Sequence, residues 1–395
     1  MGRHILCINS GSSSMKFSMF RVDGTEELGA SGAVERIGLK GGVIWLRDGE
    51  GKTLVDRQED VPDHNSAVGA MFAQAVGCCG LPVPDAVGHR VVMGGARHYG
   101  PEVITPSLVK TLRELIPLMP LHLPGEIRGI EGVVAHYPGL RQVACFDTAF
   151  HRRMPEIAKW MPLPRGLWHE GLHRYGFHGL SYEYIVSALG EKIKGRAVIA
   201  HLGNGASMAA VRDGTPLDTT MAFSPMGGLM MGTRCGDLDP GVVTYLLNEK
   251  GYTASQLETL LGGQSGLLGV SGVSPDMKTL LEKSDTDPHA FQAIELFCYT
   301  ARKFIGAMTA VMGGIDHLVF TGGIGERAAP VRWLICSPLA GMGIVLDPAL
   351  NDAGAEIISK EGSRCTVRVV PTNEDLVIAR HTSALLYGGS GGGRV

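Results

Sequence analysis

Three observations predict an α/β fold built as two related lobes with a cleft between them. Apolar, β-rich runs alternate with helical patterns, as in strands layered against helices. At roughly 150 residues per domain, a chain of 395 residues holds two. A hairpin with a small, polar turn also occurs twice, about half a chain apart. Residues 5–24 run strand, Asn9-Ser10-Gly11-Ser12-Ser13-Ser14, strand, then Asp23-Gly24. Residues 197–214 run strand, Gly203-Asn204-Gly205-Ala206-Ser207, strand, then Asp213-Gly214.

In chain order, the strands are predicted at Ile5–Ile8, Phe17–Phe20, Val87–Val92, Val143–Phe146, Ala197–His201, Met208–Val211, Leu318–Phe320 and Val367–Val370. Each is a short apolar run rich in β-branched or aromatic residues and bounded by turn formers. Helices are predicted at Ala67–Val76, Leu108–Leu115, Tyr182–Leu189, near Ala290–Met312 and at Leu376–Leu386, where apolar residues recur at helical spacing. Gly388–Gly393 reads as a flexible tail.

Composition narrows the function. Hydrophobic residues make up 44% and charged residues 19%, which excludes a disordered chain. Glycine accounts for 56 residues, about twice the usual share, with no collagen period. That excess points to tight turns and close approach of backbone to a ligand. A net charge of −3 gives no reason to expect nucleic acid or an anionic membrane as partner. The start shows no secretory signal, and no run reaches the ~18 apolar residues of a membrane span. The eight cysteines form no C-x-x-C pair and read as buried free thiols of a reducing compartment, so the expected location is the cytoplasm.

Several motifs compete. The two Gly/Ser turns can point backbone N–H groups into one concavity that suits an anion, with Lys16 adding a charge. A Walker loop fails, because Leu46 stands where Gly51-Lys52-Thr53 needs a glycine. Gly323-Ile324-Gly325-Glu326-Arg327-Ala328 matches a dinucleotide fingerprint after a strand, with Asp347 downstream, but opens no domain. His169-Glu170-Gly171-Leu172-His173 satisfies the zinc-protease pattern H-E-x-x-H. That chemistry needs both histidines on one helix face, and Pro162, Pro164, Gly166 and Gly171 oppose a helix. Finally, Arg90, Asp147, Arg234 and Glu374 sit at strand ends or turns, where α/β folds bind ligands, and arginine suits phosphate or carboxylate.

At these residues the chain resembles the acetate kinase family, over nearly its whole length apart from the tail. The matching stretches are Ile8–Phe17, His89–Val92, Phe146–His151, Arg174–Gly179, His201–Ser207, Gly232–Arg234, Ser265–Gly269, Phe320–Glu326 and Pro371–Glu374. The resemblance implies a two-lobed fold of the actin, sugar-kinase and heat-shock-chaperone ATPase type, with a five-stranded sheet and helices in each lobe. It implies lobe I from residues 1–149 plus 376–395, and a nucleotide-binding lobe II from 150–375. The implied reaction is reversible: ATP and acetate give ADP and acetyl phosphate. A propionate kinase is the alternative within the family. A zinc protease or a nucleotide-binding module without turnover are distant ones.

By the same resemblance, Asn9 and Glu374 help hold Mg²⁺, for which Mn²⁺ can substitute. Lys16, His201, Leu202, Gly203, Asn204 and Gly205 contact nucleotide phosphates. Asp276, Met277 and Lys278, with Gly322, Gly323, Ile324, Gly325 and Glu326, contact the rest of the nucleotide. Arg90, Asp147, His178 and Arg234 surround the transferred phosphoryl group, and Val92, Leu121, Phe177 and Pro225 wall the acetate methyl pocket. A homodimer is implied. The chain departs from the commonest family pattern at Met93, Leu123, Leu180, Gly227, Cys235, Lys278 and Arg327. Met93 and Leu123 adjoin the acyl wall and bear on acetate against propionate, while Lys278 and Arg327 bear on the nucleotide.

The chemistry has its own logic. A carboxylate with a pKa near ~4 is already ionised at neutral pH, so the nucleophile needs no general base. Phosphoryl transfer is mostly positioning and charge stabilisation. Asp147 is therefore expected to orient an arginine or the metal's water shell.

Overall fold

Two hairpins seed two sheets in the computed structural model, which describes residues 2–388. The first unit comprises the chain through Ala149 together with the segment from Asn373 onward; the second is Phe150–Thr372. Residues 373–375 go with the first unit, because the helix Glu374–Tyr387 that they open packs on its strands.

The first unit contains β1 (Arg3–Ser10), β2 (Ser14–Val22), β3 (Glu26–Glu35), β4 (Val43–Asp48), β5 (Thr53–Gln58), β6 (Ala86–Val91), β7 (Glu102–Val103) and β8 (Arg141–Phe146). They form one sheet in the order β5-β4-β3-β2-β1-β6-β8-β7. The second contains β9 (Arg196–Leu202), β10 (Ala206–Arg212), β11 (Thr215–Thr219), β12 (His317–Thr321) and β13 (Thr366–Val369), in the order β11-β10-β9-β12-β13.

The duplication is real at the level of topology. In each sheet, three strands run antiparallel from the hairpin, and two more join parallel on the other side of its first strand. A five-stranded sheet in each lobe holds for the second unit only. The first unit's sheet has eight strands, because β4 and β5 continue the meander and β7 adds an edge.

Apolar positions decide the layers. Ile8, Met15, Phe17, Val34 and Leu46 face Val68, Met71 and Phe72 of helix His64–Phe72 in one buried cluster. That helix continues as a π-helical turn over Ala73–Cys78. In the second unit, Tyr182, Ile185 and Leu189 of helix Gly179–Leu189 close over Ile199, Ala209, Val211 and Val319. Helix Pro288–Met312 buries Ala290, Ala293, Phe297, Ala301, Ile305 and Met308 along its inner face.

None of the eight cysteines is in a disulfide. Five are buried, but Cys78 is exposed and Cys79 and Cys235 are half-buried, which corrects the expectation for those three. Cys78 ends the π-helical turn rather than continuing its inner face. Of the expected tail, Gly388 caps the last helix with φ 63, and the rest lies outside the described residues. Among the described residues, no helix is long and apolar enough to cross a membrane.

Candidate active site

In the first unit, β1 brings Asn9 opposite Lys16 of β2. The turn between them is tied by Gly11 N–H donating to Ser14 O at 2.7 Å. From below, His64 Nε2 donates to Gly11 O at 2.7 Å. Helix Leu123–His136 lies against this turn, and its glycines allow the approach. A Cβ at Gly125 would sit 2.6 Å from Gly11 O, and one at Gly129 would sit 2.5 Å from Ser10 Oγ.

Arg90 near the end of β6 and Asp147 just past β8 form an ion pair, with Asp147 fully buried. Arg90 Nε also lies 3.7 Å from Glu374 Oε2, at the start of the last helix. Burial alone would depress the guanidinium, but Asp147, Glu374 and Glu126 together hold it well above its ordinary value. Arg90 therefore stays charged, while the carboxyls compete for too few cations. Burial, then the charge of Asp147, push Glu374 up to about 7 against the pull of Arg90 and Lys16. Burial pushes Glu126 up to about 8. Glu126 escaped the sequence reading; it accepts the Val92 N–H at 3.0 Å and so fixes the backbone beside Arg90.

The donor set fits a hard divalent cation. Asp147 Oδ1 and Glu126 Oε1 are buried without a hydrogen-bond partner, and Glu374 is only partly neutralised. Among the described residues, no three His, Cys, Asp or Glu side chains cluster as a metal cage. One or two carboxylates completed by phosphate oxygens and water are the mode Mg²⁺ prefers.

In the second unit, Gly203 N–H donates to Gly205 O at 3.1 Å, closing the turn between β9 and β10. Gly205 admits two side chains. A Cβ there would lie 3.1 Å from Arg234 Nη2 and 3.3 Å from His178 Nε2. The imidazoles of His178 and His201 stack at 4.3 Å. His178 adopts φ 57, a left-handed conformation that a non-glycine residue reaches only under strain.

Hydroxyls hold the rings. His178 Nδ1 meets Ser207 Oγ at 2.8 Å, and Ser207 Oγ also meets the Tyr182 hydroxyl at 2.5 Å. His201 Nδ1 meets Ser181 Oγ at 2.8 Å, which reaches Thr372 Oγ1 at 2.9 Å. Ser181 and Tyr182 were also missed, because a lone hydroxyl at a helix start carries no motif; Ser207 and Thr372 lie within matched stretches but were given no role.

Arg234 Nη1 donates to Pro225 O at 2.7 Å. Its loop rests on Ser265–Gly269, whose Ser265, Leu267 and Leu268 N–H groups donate to Thr233, Met231 and Gly232 carbonyls at 2.8–3.0 Å. That stretch is a backbone support. The turn after β12 approaches Gly203, where a Cβ would stand 3.9 Å from Gly323 N and from His201 Nε2. Gly322, at φ 76, and Gly325 are buried, while Gly323 and Ile324 reach the surface. Glu326 Oε1 accepts the N–H groups of Gly322 at 2.9 Å and Thr372 at 3.2 Å, so this carboxylate braces the turn.

Other expected residues stand differently. Leu202 is fully buried, leaving only its backbone to a ligand. Asn204 is exposed. Asp276 caps helix Met277–Lys283 by accepting Thr279 N–H at 2.9 Å, Met277 is buried, and Lys278 points outward toward Glu282. Val92 and Phe177 are buried and Pro225 is half-buried, but Leu121 is 52% exposed. Met93 and Leu123 are fully buried core residues.

The zinc motif does not assemble. Helix Arg165–His169 ends at its first histidine, and Gly171 follows at φ 89. The His173 ring instead lies 5.0 Å from Trp168 and 4.1 Å from Tyr175. Asp347 of the dinucleotide reading caps a helix through Leu350 N–H at 3.0 Å.

Residues 4–380 match the model of the acetokinase family. An acetate kinase of Rhodopseudomonas palustris strain TIE-1 is 46% identical, covering 98% of this chain and 99% of its own. The crystal structure of Porphyromonas gingivalis acetate kinase superposes with a TM-score of 0.87 at 38% identity, covering 97% of this chain and 100% of its own. A propionate kinase from Francisella tularensis gives 0.91 at 34%, covering 96% and 99%.

Proposed function

This chain belongs to the acetokinase family, and from that premise we propose how its residues divide the work of one reaction. The reaction is the transfer of a phosphoryl group from ATP to acetate, giving ADP and acetyl phosphate. The observation that carries the residue assignment is the meeting of Arg234 and His178 at Gly205, beside a turn whose glycines leave room for phosphate.

The acetate carboxylate attacks phosphorus in line as ADP leaves, and no proton has to be removed from it. Arg90 and Arg234 donate to the equatorial oxygens as their charge grows, and His178 adds a third donor at Nε2. Asp147 holds Arg90 in place and keeps it charged, so it is a positioning residue and not a base. Lys16 and the Gly203–Gly205 and Gly322–Glu326 turns hold the nucleotide, with His201 and Asn204 on its phosphates. Asp276, Met277 and Lys278 contribute through backbone and helix start more than through the buried Met277 side chain.

Asn9 and Glu374 hold Mg²⁺, with Asp147 near enough in charge to favour it. When bound, Mg²⁺ neutralises phosphate oxygens and fixes their geometry. Mn²⁺ shares the preference for oxygen donors and substitutes.

Val92, Leu121, Phe177 and Pro225 are assigned to the acyl methyl group, Val92 and Phe177 as buried residues and Leu121 as an exposed one. Propionate is the second reading of the substrate, favoured by the likeness to the propionate kinase of Francisella tularensis.

The chain works as a homodimer in the cytoplasm. Helix Pro240–Asn248 is apolar yet buries none of its residues, and Tyr245 is 51% exposed, so a second copy is its fitting cover. Eight cysteines outside any disulfide suit a reducing compartment.

The test is an acyl-hydroxamate assay with ATP, Mg²⁺ and a series of short carboxylic acids. Acetyl and propionyl phosphate should form, and light scattering should give twice the chain mass. ATP binding without any acyl phosphate would reduce the protein to a nucleotide-binding module.

A further inference from the structure

His178 is held at Nδ1 by a hydroxyl where a carboxylate would be more usual, and that hydroxyl has a second partner. Ser207 is fully buried on β10 and sits between His178 Nδ1 at 2.8 Å and the Tyr182 hydroxyl at 2.5 Å. Tyr182 is fully buried as well, its ring packed 5.9 Å from Phe150 and 5.5 Å from His151. The three groups form a short chain that ends on the ring facing Gly205 and Arg234.

We propose that Tyr182 and Ser207 are positioning residues that set the tautomer of His178, so that its Nε2 carries the proton and donates to the transferring phosphoryl group. The argument rests on hydrogen-bond capacity. A serine hydroxyl has one proton, so it donates to only one of its two partners. The phenol is the more acidic hydroxyl of the two, hence the better donor, and donates to Ser207 Oγ. Ser207 then donates onward to His178 Nδ1, which must be the bare nitrogen of a neutral ring. The remaining ring proton lies on Nε2, the atom 3.3 Å from where a Gly205 Cβ would stand. Donors in such a chain polarise one another, which strengthens the last one.

The arrangement has a functional consequence. A neutral His178 already offers an N–H, so its contribution does not require an imidazolium. The groups around it include His201, stacked on its ring, Arg234 across Gly205 and Tyr182 behind Ser207, with His151 packed edge-on to Tyr182. His151 Nε2 donates to Phe177 O at 3.0 Å, and burial pulls its pKa down to about 4, so it stays neutral. The proposal rests on the assignment of His178 to the phosphoryl group.

The test compares kcat against pH, from 6 to 8.5, for the wild type, Ser207→Ala and Tyr182→Phe, using the hydroxamate assay with saturating acetate and ATP. Loss of Ser207 leaves the neutral ring free to take the wrong tautomer, and only the imidazolium then guarantees an Nε2 proton. The kcat deficit of Ser207→Ala should therefore grow as pH rises from 6 to 8.5, to about tenfold at the upper end. The KM values for acetate and ATP should change little. Tyr182→Phe, which keeps the ring packing, should show the same trend at smaller amplitude, and Ser207→Thr should restore the wild-type profile. On the wild-type protein, ¹⁵N NMR of the His178 ring, assigned through His178→Gln, should show the proton on Nε2. Deficits that do not vary with pH, or a ring protonated on Nδ1, would overturn the proposal. The NMR result stands even if a variant fails to fold. Absence of wild-type turnover would instead strike the kinase assignment itself, so the two failures are distinguishable.

Discussion

At the end of β6 the first unit presents Arg90, and beyond β8 it presents Asp147. At the corresponding ends of β12 and β13 the second unit presents the glycine turn Gly322–Gly325 and the Pro371-Thr372 stretch. The scaffold is the same five-strand order, yet one copy ends in side-chain charge and the other in backbone and hydroxyl groups. The charged half keeps Ser10 Oγ, Arg90 Nε, Glu126 Oε1 and Asp147 Oδ1 buried without hydrogen-bond partners. In the other half the Nδ1 atoms of His178 and His201 each meet a hydroxyl, although Thr321 Oγ1 at the end of β12 is buried without a partner. The difference teaches that one lobe is built to be completed by a cation, while the other positions donors in advance. Buried charge that is only partly compensated is costly to leave alone and gives a bound cation much to gain.

The largest effect that can break this contrast is metal removal. After exhaustive chelation turnover should vanish, and Mg²⁺ or Mn²⁺ alone should restore it in a coupled ADP assay. Restoration by Zn²⁺ where Mg²⁺ fails would return His169 and His173 to the site.

Next come the two arginines. Arg90→Ala and Arg234→Ala should each lower kcat by about 10²–10³, the loss of roughly 3–4 kcal/mol of transition-state stabilisation. Thermal unfolding should separate them. Arg90→Ala strands the buried Asp147 carboxylate and should cost about 3–5 kcal/mol of stability, whereas Arg234→Ala should leave the melting temperature nearly unchanged. Equal destabilisation of both would erase the distinction between the halves.

Much of this was legible in the sequence, for reasons that can be named. Strands such as Ile5–Ile8 and Ala197–His201 are continuous apolar runs, and all eight expected strands lie where strands occur. β3 was not legible. Its Glu26-Glu27-Leu28-Gly29-Ala30-Ser31-Gly32 has low β propensity and is held by pairing with β2 and β4 on its two sides. Helix Leu123–His136 was hidden by its glycines at 125, 129 and 132, which are there so that it can lie against the Gly11 turn and Val68. The site residues at strand ends carried family motifs, but Glu126, Ser181, Tyr182 and Ser207 act through contacts that only the fold creates. The exposed Leu121 and the buried Met277 show the converse, since a motif match does not state which way a side chain faces.

A smaller effect sharpens the acyl pocket. Val92→Ala removes two methyl groups from a buried wall and should shift kcat/KM toward propionate and butyrate by about 10–200-fold at most, or 1–3 kcal/mol. The ATP KM should hold. A raised ATP KM with an unaltered acid series would move Val92 to the nucleotide.

A last effect, on stability and not on turnover, concerns Glu126. Its native pKa of about 8 exceeds the ordinary 4.5, so the folded state holds an extra proton between those values. Stability should therefore be full below about pH 4.5 and fall as pH rises toward 8 on this account. In Glu126→Gln that fall disappears, and the variant's melting temperature should gain on the wild type between pH 5 and 8.5. An offset that does not vary with pH would show that Glu126 stays ionised.

The most direct test of the charged half is a double-mutant cycle on kcat with Arg90→Ala, Asp147→Asn and their combination. If Asp147 acts by holding Arg90, the double variant should be no worse than Arg90→Ala alone, and Asp147→Asn should keep the wild-type shape of the pH–rate profile. Losses that multiply, together with a missing limb in the Asp147→Asn profile, would make Asp147 a base in its own right and contradict the account.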